Sequence, residues 1–277
     1  LPMVWMAGHV ASDRLQDEIL IPLAQELRTM VAPPDRPAVM ATWSAGHIIQ
    51  YFAEKPVVAT PFGTDLGPGG MRDLARFQFS NEPVEVEEIL ARRQVGFVLI
   101  QAPATEGKAM LDFLPPDSPH PFGLVGDERR RRLHMVPGYA RMVTSRLYHF
   151  DGMARSSEPL AALESYRLLA ESSGSALDFG SDLPGPPYKL FGVVPGVRLI
   201  VRDLSAGPVF VTTRVVTNRG RSFGWTTNAS ADEKGSARLR LPYATGANGL
   251  SRVGPYLVFQ RGRGSRTLEV SEEQVLL

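Results

Sequence analysis

Apolar residues recur at helical spacing between Ser12 and Met30: Ile19, Leu20, Leu23, Leu27 and Met30 fall near one face. Asp13, Asp17 and Glu18 occupy the first turns, where the helix dipole favours negative charge. Pro33-Pro34 predicts the stop. Arg36 to Thr42 is short, apolar and bounded by a proline, which predicts a buried strand. His47 to Ala53 reads as a short helix after a glycine turn, and Pro56 to Ala59 as a second strand. Phe62 to Gly70 is a loop by its glycine and proline content. Val84 to Arg93 predicts a helix, and Val95 to Gln101 is the clearest buried strand of this half. Further helical regions are expected over Asp127 to Phe150 and Ser157 to Glu171, followed by a polar linker from Ser172 to Pro187.

Beyond the linker the period drops to two. Arg198 to Val201, Val209 to Val216, Ser222 to Asn228, Ala237 to Leu241 and Tyr256 to Gln260 each read as short strands, spaced as in a sandwich or barrel. Ala231 to Gly235 predicts a hairpin turn. The fold class expected is therefore α+β: a mixed α/β core domain over residues 1–185, then a β-sandwich or β-barrel-like domain over residues 186–277.

Composition narrows the chemistry. Thirty Lys and Arg against 29 Asp and Glu leave a net charge of +1, so there is no basic field for nucleic acid. Cysteine is absent, which excludes disulfides, thiolate metal sites and a cysteine nucleophile. No apolar run approaches the length of a membrane span. The chain starts at Leu1-Pro2 with no cleavable signal pattern, and is expected to be a piece of a longer protein.

No self-contained active site is legible. The five histidines make no H-E-x-x-H pair, and there is no G-x-S-x-G elbow or Walker loop. Pro68 removes an amide that a phosphate cradle at Gly67 to Gly70 would use. Arg129 to Arg132 reads as a solvated helix face. Ser44 and His47 lie three apart and could touch on one helical turn, but no carboxylate stands ready to orient the imidazole.

The informative stretch is Val39 to Phe62, VMATWSAGHIIQYFAEKPVVATPF, in which an expected strand ends at Thr42-Trp43-Ser44 and a glycine follows. It resembles the soluble domain of the oligosaccharyltransferase catalytic subunit, the STT3 family. There a tryptophan-tryptophan-aspartate-tyrosine-glycine motif precedes an aromatic-x-x-alanine-glutamate-arginine-proline pattern. Tyr51 to Pro56 stands in the second place, as YFAEKP. Downstream, Phe79 to Glu82 with the helix and strand after it, and Arg146-Leu147-Tyr148-His149-Phe150-Asp151-Gly152, look like further segments of the family. Tyr188 to Phe191, Val194-Pro195-Gly196, Leu241-Pro242-Tyr243 and Gly254-Pro255-Tyr256 look like the accessory β domain of archaeal members.

The resemblance implies an extracytoplasmic domain, on the periplasmic or exterior side, that follows a membrane domain of the same polypeptide. That membrane domain would bind a polyprenyl-phosphate-linked oligosaccharide and hold a divalent metal, Mn or Mg, with its own carboxylates. The soluble domain would recognise the acceptor peptide around the hydroxyl residue of an asparagine sequon. Carried onto this sequence, the acceptor-binding residues are Thr42, Trp43, Ser44, Gly46 and His47, with no catalytic or metal-binding residue and no cofactor in this fragment. Thr42 stands for the first tryptophan, Ser44 for the aspartate and Ala45 for the tyrosine, which halves the aromatic wall and removes its charge. These residues also have plain readings: Trp43 as a core aromatic, Gly46 as a turn glycine, His47 as a helix cap. The expected function is acceptor recognition for a membrane glycosyltransferase, the fragment alone being inactive. The alternatives are a non-catalytic carbohydrate- or protein-binding scaffold of the same fold and, further off, a hydrolase using Ser44 and His47.

Overall fold

The computed structural model describes residues 2–33, 35–60, 69–101, 110, 113–114, 122–125, 132–135, 138–155, 160–179 and 184–277. The chain divides into two units, residues 1–144 with 171–190, and residues 145–170 with 191–277. Four strands form one sheet in the order β1 (Ala38–Met40), β2 (Val95–Gln101), β6 (Tyr188–Val193), β5 (Tyr166–Glu171). β3 (Phe122–Val125) and β4 (Arg132–Met135) make a separate antiparallel pair.

In the first unit, helix α1 (Pro2–Thr29) buries Ile19, Leu20, Leu23 and Leu27 of the stripe that the apolar spacing predicts, together with Ala24, while Met30 just past its end is half-buried. β1 runs parallel to β2, with Val39 opposite Phe97 and Met40 opposite Val98. All seven residues of β2 are buried, as a strand covered on both faces requires, so its sequence is a continuous apolar run. Between the two strands the chain forms α2 (Trp43–Ile48), a π-helical turn (Ile49–Ala53), α3 (Gly70–Phe79) and α4 (Pro83–Arg92). Asp73 of α3 is buried and accepts from Arg92 Nη2 at 2.8 Å and Arg93 Nε at 2.6 Å, which ties α3 to the end of α4.

In the second unit, α5 (Val143–Phe150) is followed after β5 by an antiparallel pair, β7 (Val197–Val201) with β10 (Ala237–Leu241). A six-stranded sheet is built on β8 (Pro208–Val216). One edge of β8 takes β9 (Ser222–Ser230) over nine residues. The other takes β13 (Tyr256–Gln260) and β12 (Ser251–Val253), which carry β14 (Ser265–Leu268) and β11 (Gly246–Asn248). Alternating residues of both sheets share one core around Trp225, Tyr243 and Tyr256. The Tyr256 hydroxyl accepts from Tyr243 N and donates to Tyr243 O, both at 3.0 Å, while Trp225 packs edge-on to both rings. Burial drives both phenol pKa values well above their ordinary value. Helix α6 (Glu272–Leu276) closes the chain with a capping box between Ser271 and Gln274.

The α+β class holds, and the five strands read from period-two alternation are all present. Several local expectations fail. Helix α1 begins at Pro2, ahead of Ser12, so Asp13, Asp17 and Glu18 lie past its first turn. Trp43 opens a helix, so the helix does not begin at His47 after a glycine turn. Pro56 to Ala59 makes only a single parallel bridge, Val39 to Val57. Tyr166 to Glu171 is a strand, not helix, and within Asp127 to Phe150 the chain forms β4 before α5. β5 is buried on both faces, so it shows no alternation and its apolar pair Leu168-Leu169 mimics a helix stripe. The turn at Ala231 to Gly235 exists, with Asp232 Oδ1 accepting from Lys234 N and Ser236 N at 2.9 Å, but the strands it joins pair with β8 and β7 rather than with each other.

Candidate functional site

The stretch that carries the resemblance lies in the first unit. Thr42 is the N-cap of α2, with φ −57° and ψ 147°, yet its side chain makes no capping bond, and its buried Oγ1 has no hydrogen-bond partner. Trp43, Ser44 and His47 follow on the first turns, each half-buried. Positions 43 and 47 share a helix face, as do 44 and 47. Ser44 Oγ accepts from Gln16 Nε2 of α1 at 3.5 Å. The indole is therefore not sealed in a core.

Gly46 does something else. It is buried, and a Cβ there would sit 2.1 Å from Ala59 O. Gly70 meets the same segment, since its Cβ would lie 2.6 Å from Val58 O. The segment is further fixed to β1, because Val39 N donates to Pro56 O at 2.8 Å and Val58 N to Val39 O at 3.1 Å. Lack of a side chain at 46 is thus a packing requirement.

The YFAEKP stretch also has a structural account. Glu54 ends the π-turn in the left-handed region, with φ 51°. Lys55 Nζ donates to Met30 O at 3.0 Å and lies 5.2 Å from the centre of the Phe97 ring. Burial lowers its pKa. Tyr51 is exposed and stands edge-on to Phe52. The loop Phe62 to Pro68 and the basic run Arg129 to Arg131 lie outside the described residues. Among the described residues no three His, Asp or Glu side chains gather as metal ligands. No helix of the described residues is long and apolar enough to cross a membrane.

Three polar clusters in the second unit escaped sequence reading. Arg167, on the buried strand β5, donates to both carboxylate oxygens of Glu272 at 2.6 Å and to Asn248 Oδ1 at 3.1 Å. Arg221 donates to both oxygens of buried Asp151, at 2.7 and 2.8 Å. Glu164 accepts from Thr227 Oγ1 at 2.6 Å and Arg240 N at 3.1 Å. Their partners lie 63 to 105 residues apart in sequence, so no local pattern signals them.

Burial raises the Glu164 carboxyl above its ordinary pKa of 4.5, against the smaller opposing pull of Thr227 and Arg240. The folded state therefore takes up this proton at higher pH than the unfolded chain does. Its contribution to stability falls as pH rises from 4.5 through the folded pKa. Glu164→Gln should flatten that part of the profile. The parent's urea midpoint should fall relative to that of the glutamine variant as pH rises through this window, and parallel profiles would contradict the assignment.

The chain has the fold of the archaeal oligosaccharyltransferase AglB from Archaeoglobus fulgidus. The structure solved with an inhibitory peptide and a dolichol-phosphate matches at TM-score 0.71 and 15% identity over 92% of this chain. One tethered by a disulfide to an acceptor peptide containing an NVT sequon matches at 0.70 and 14%, again over 92%. The chain spans 41% and 42% of those two structures' length. Residues 196–277 also match the family model of the archaeal glycosylation protein B long peripheral domain. A search of curated proteins gives no match.

Proposed function

We propose that this chain is the extracytoplasmic acceptor-recognition part of a membrane oligosaccharyltransferase-like glycosyltransferase. The long peripheral domain match over residues 196–277, within a fold shared over 92% of the chain, carries this reading. The polypeptide's membrane part would hold the lipid-linked oligosaccharide and the divalent metal, Mn or Mg, and would make the bond. This chain would hold the acceptor peptide at the start of α2. Trp43 offers a half-buried apolar face, and Ser44 offers a hydroxyl in place of the aspartate that the resemblance would put there, while the Thr42 hydroxyl behind them is buried. A hydroxyl hydrogen-bonds an incoming threonine without charge, so discrimination of threonine from alanine is expected to be weaker than a carboxylate would give.

The test is transfer by the longer polypeptide onto an Asn-x-Thr peptide and its Asn-x-Ala counterpart. Trp43→Ala should raise KM for the threonine peptide about ten-fold with little change in kcat, and the isolated chain should turn nothing over. An unchanged KM and unchanged peptide ranking would favour the scaffold reading. Turnover by the isolated chain would refute the division of labour.

A further inference from the structure

A cleft of about 690 Å³ opens in the second unit beside β7. Leu199 and Val201 of β7, Val258 of β13 and Leu268 of β14 line it and also pack against the core, so its floor is apolar. No residue of β10 lines it. Among the described residues β7 pairs with β10 alone, so the cleft lies on the edge of β7 that carries no described strand. In an antiparallel pair, alternate residues turn their N–H and C=O groups away from the partner, and these groups are the template for an added strand.

The rim is basic. Arg202, Arg263 and Arg266 line the cleft and are exposed, against one carboxylate, Asp203. Arg263 Nη1 donates to Asp203 O at 2.6 Å, and Gln260 Nε2 donates to Ser205 O at 2.9 Å, which closes one end of the cleft with protein hydrogen bonds. Arg266 lies opposite Val258 in the β13–β14 register, so it shares the cleft face with Leu268 two residues on. The one aromatic lining residue, Phe259, is stacked on Phe210 at 5.5 Å. A sugar ring would find no free platform there.

We propose that this cleft docks an extended acidic peptide segment, added as a strand to the open edge of β7. Alternate apolar side chains would enter the floor while the intervening carboxylates meet Arg202 and Arg266. The backbone edge selects an extended chain, and the excess of guanidinium groups selects its charge.

The probe is a fluorescent peptide of alternating valine and glutamate, titrated into the full chain at low salt and read by anisotropy. It should bind, and the valine–lysine counterpart should not. Arg202→Glu with Arg266→Glu should weaken binding at least about ten-fold. Both positions are exposed, and an unchanged thermal melt confirms that the variant folds. Methylating alternate backbone nitrogens of the peptide should weaken binding by a similar factor in one of the two registers. No binding of the acidic peptide at millimolar concentration would overturn the proposal. So would equal binding by the double variant, or indifference to methylation in both registers. Direct binding of a labelled oligomer of glucuronic acid, where the acidic peptide shows none, would assign the cleft to an acidic glycan instead.

Discussion

Gly46→Ala should lower stability by about 3 kcal/mol or more, at the upper end of what overpacking costs. The added methyl carbon would meet Ala59 O at 2.1 Å, the Ala59 carbonyl carbon at 3.1 Å and Thr60 Cα at 3.2 Å. These are backbone atoms, so no rotamer change relieves the clash. Displacement of the 56–60 segment is resisted by its two hydrogen bonds to Val39 and by Gly70, which meets Val58 O from α3. The helix itself would gain from alanine by about 1 kcal/mol, which is too little to offset the contact. For a chain of this size the melting temperature should fall by roughly 6 °C or more, as read by circular dichroism. A melt within a degree or two of the parent would show that α2 can move off this segment, and would return Gly46 to the candidate pocket.

Asp151→Ala should cost about 3 kcal/mol, the sum of two losses. The carboxylate is buried and accepts both Arg221 nitrogens, and hydrogen bonds to charged groups contribute about 1.5–3 kcal/mol. The Arg221 side chain keeps 36% of its surface exposed, so solvent screens the pair and the lower half of that range applies. Asp151 also ends α5 in the left-handed region with φ 52°, a conformation that costs alanine about 1–2 kcal/mol. Two backbone bonds, Asp151 N to Leu147 O and Gly152 N to Arg146 O, close the helix end there. Asp151→Asn keeps the tolerance for that backbone and loses only the charge, so chemical denaturation should place it between parent and alanine variant. An asparagine variant as unstable as the alanine one would assign the whole effect to the ion pair.

This second case shows what a sequence motif can and cannot say. RLYHFDG stands out as a family segment, and the structure gives it a mechanical role. Arg146 Nη2 donates to Ala161 O, Asp151 grips Arg221 70 residues away, and Gly152 permits the turn with φ 74°. The motif was legible, but its partners were not, because only the fold brings Arg221 to it. Likewise Trp43, Ser44 and His47 could be singled out by type and spacing. Their joint placement on a helix, rather than at a strand end, depended on α2 being packed against a segment more than ten residues further on.

The sequence alone determined the α+β class, the amphipathic helix α1, the apolar run of β2 and the five alternating strands. Each of these is governed by a period that local burial imposes on nearby residues. Tertiary structure alone decided that Tyr166 to Glu171 is a strand, and that the turn after β9 joins two different sheets. It also decided that buried Arg167 and Asn248 meet the exposed Glu272 in one cluster. A strand buried on both faces loses its alternation, and pairing across a hundred residues leaves no trace in the spacing of either partner.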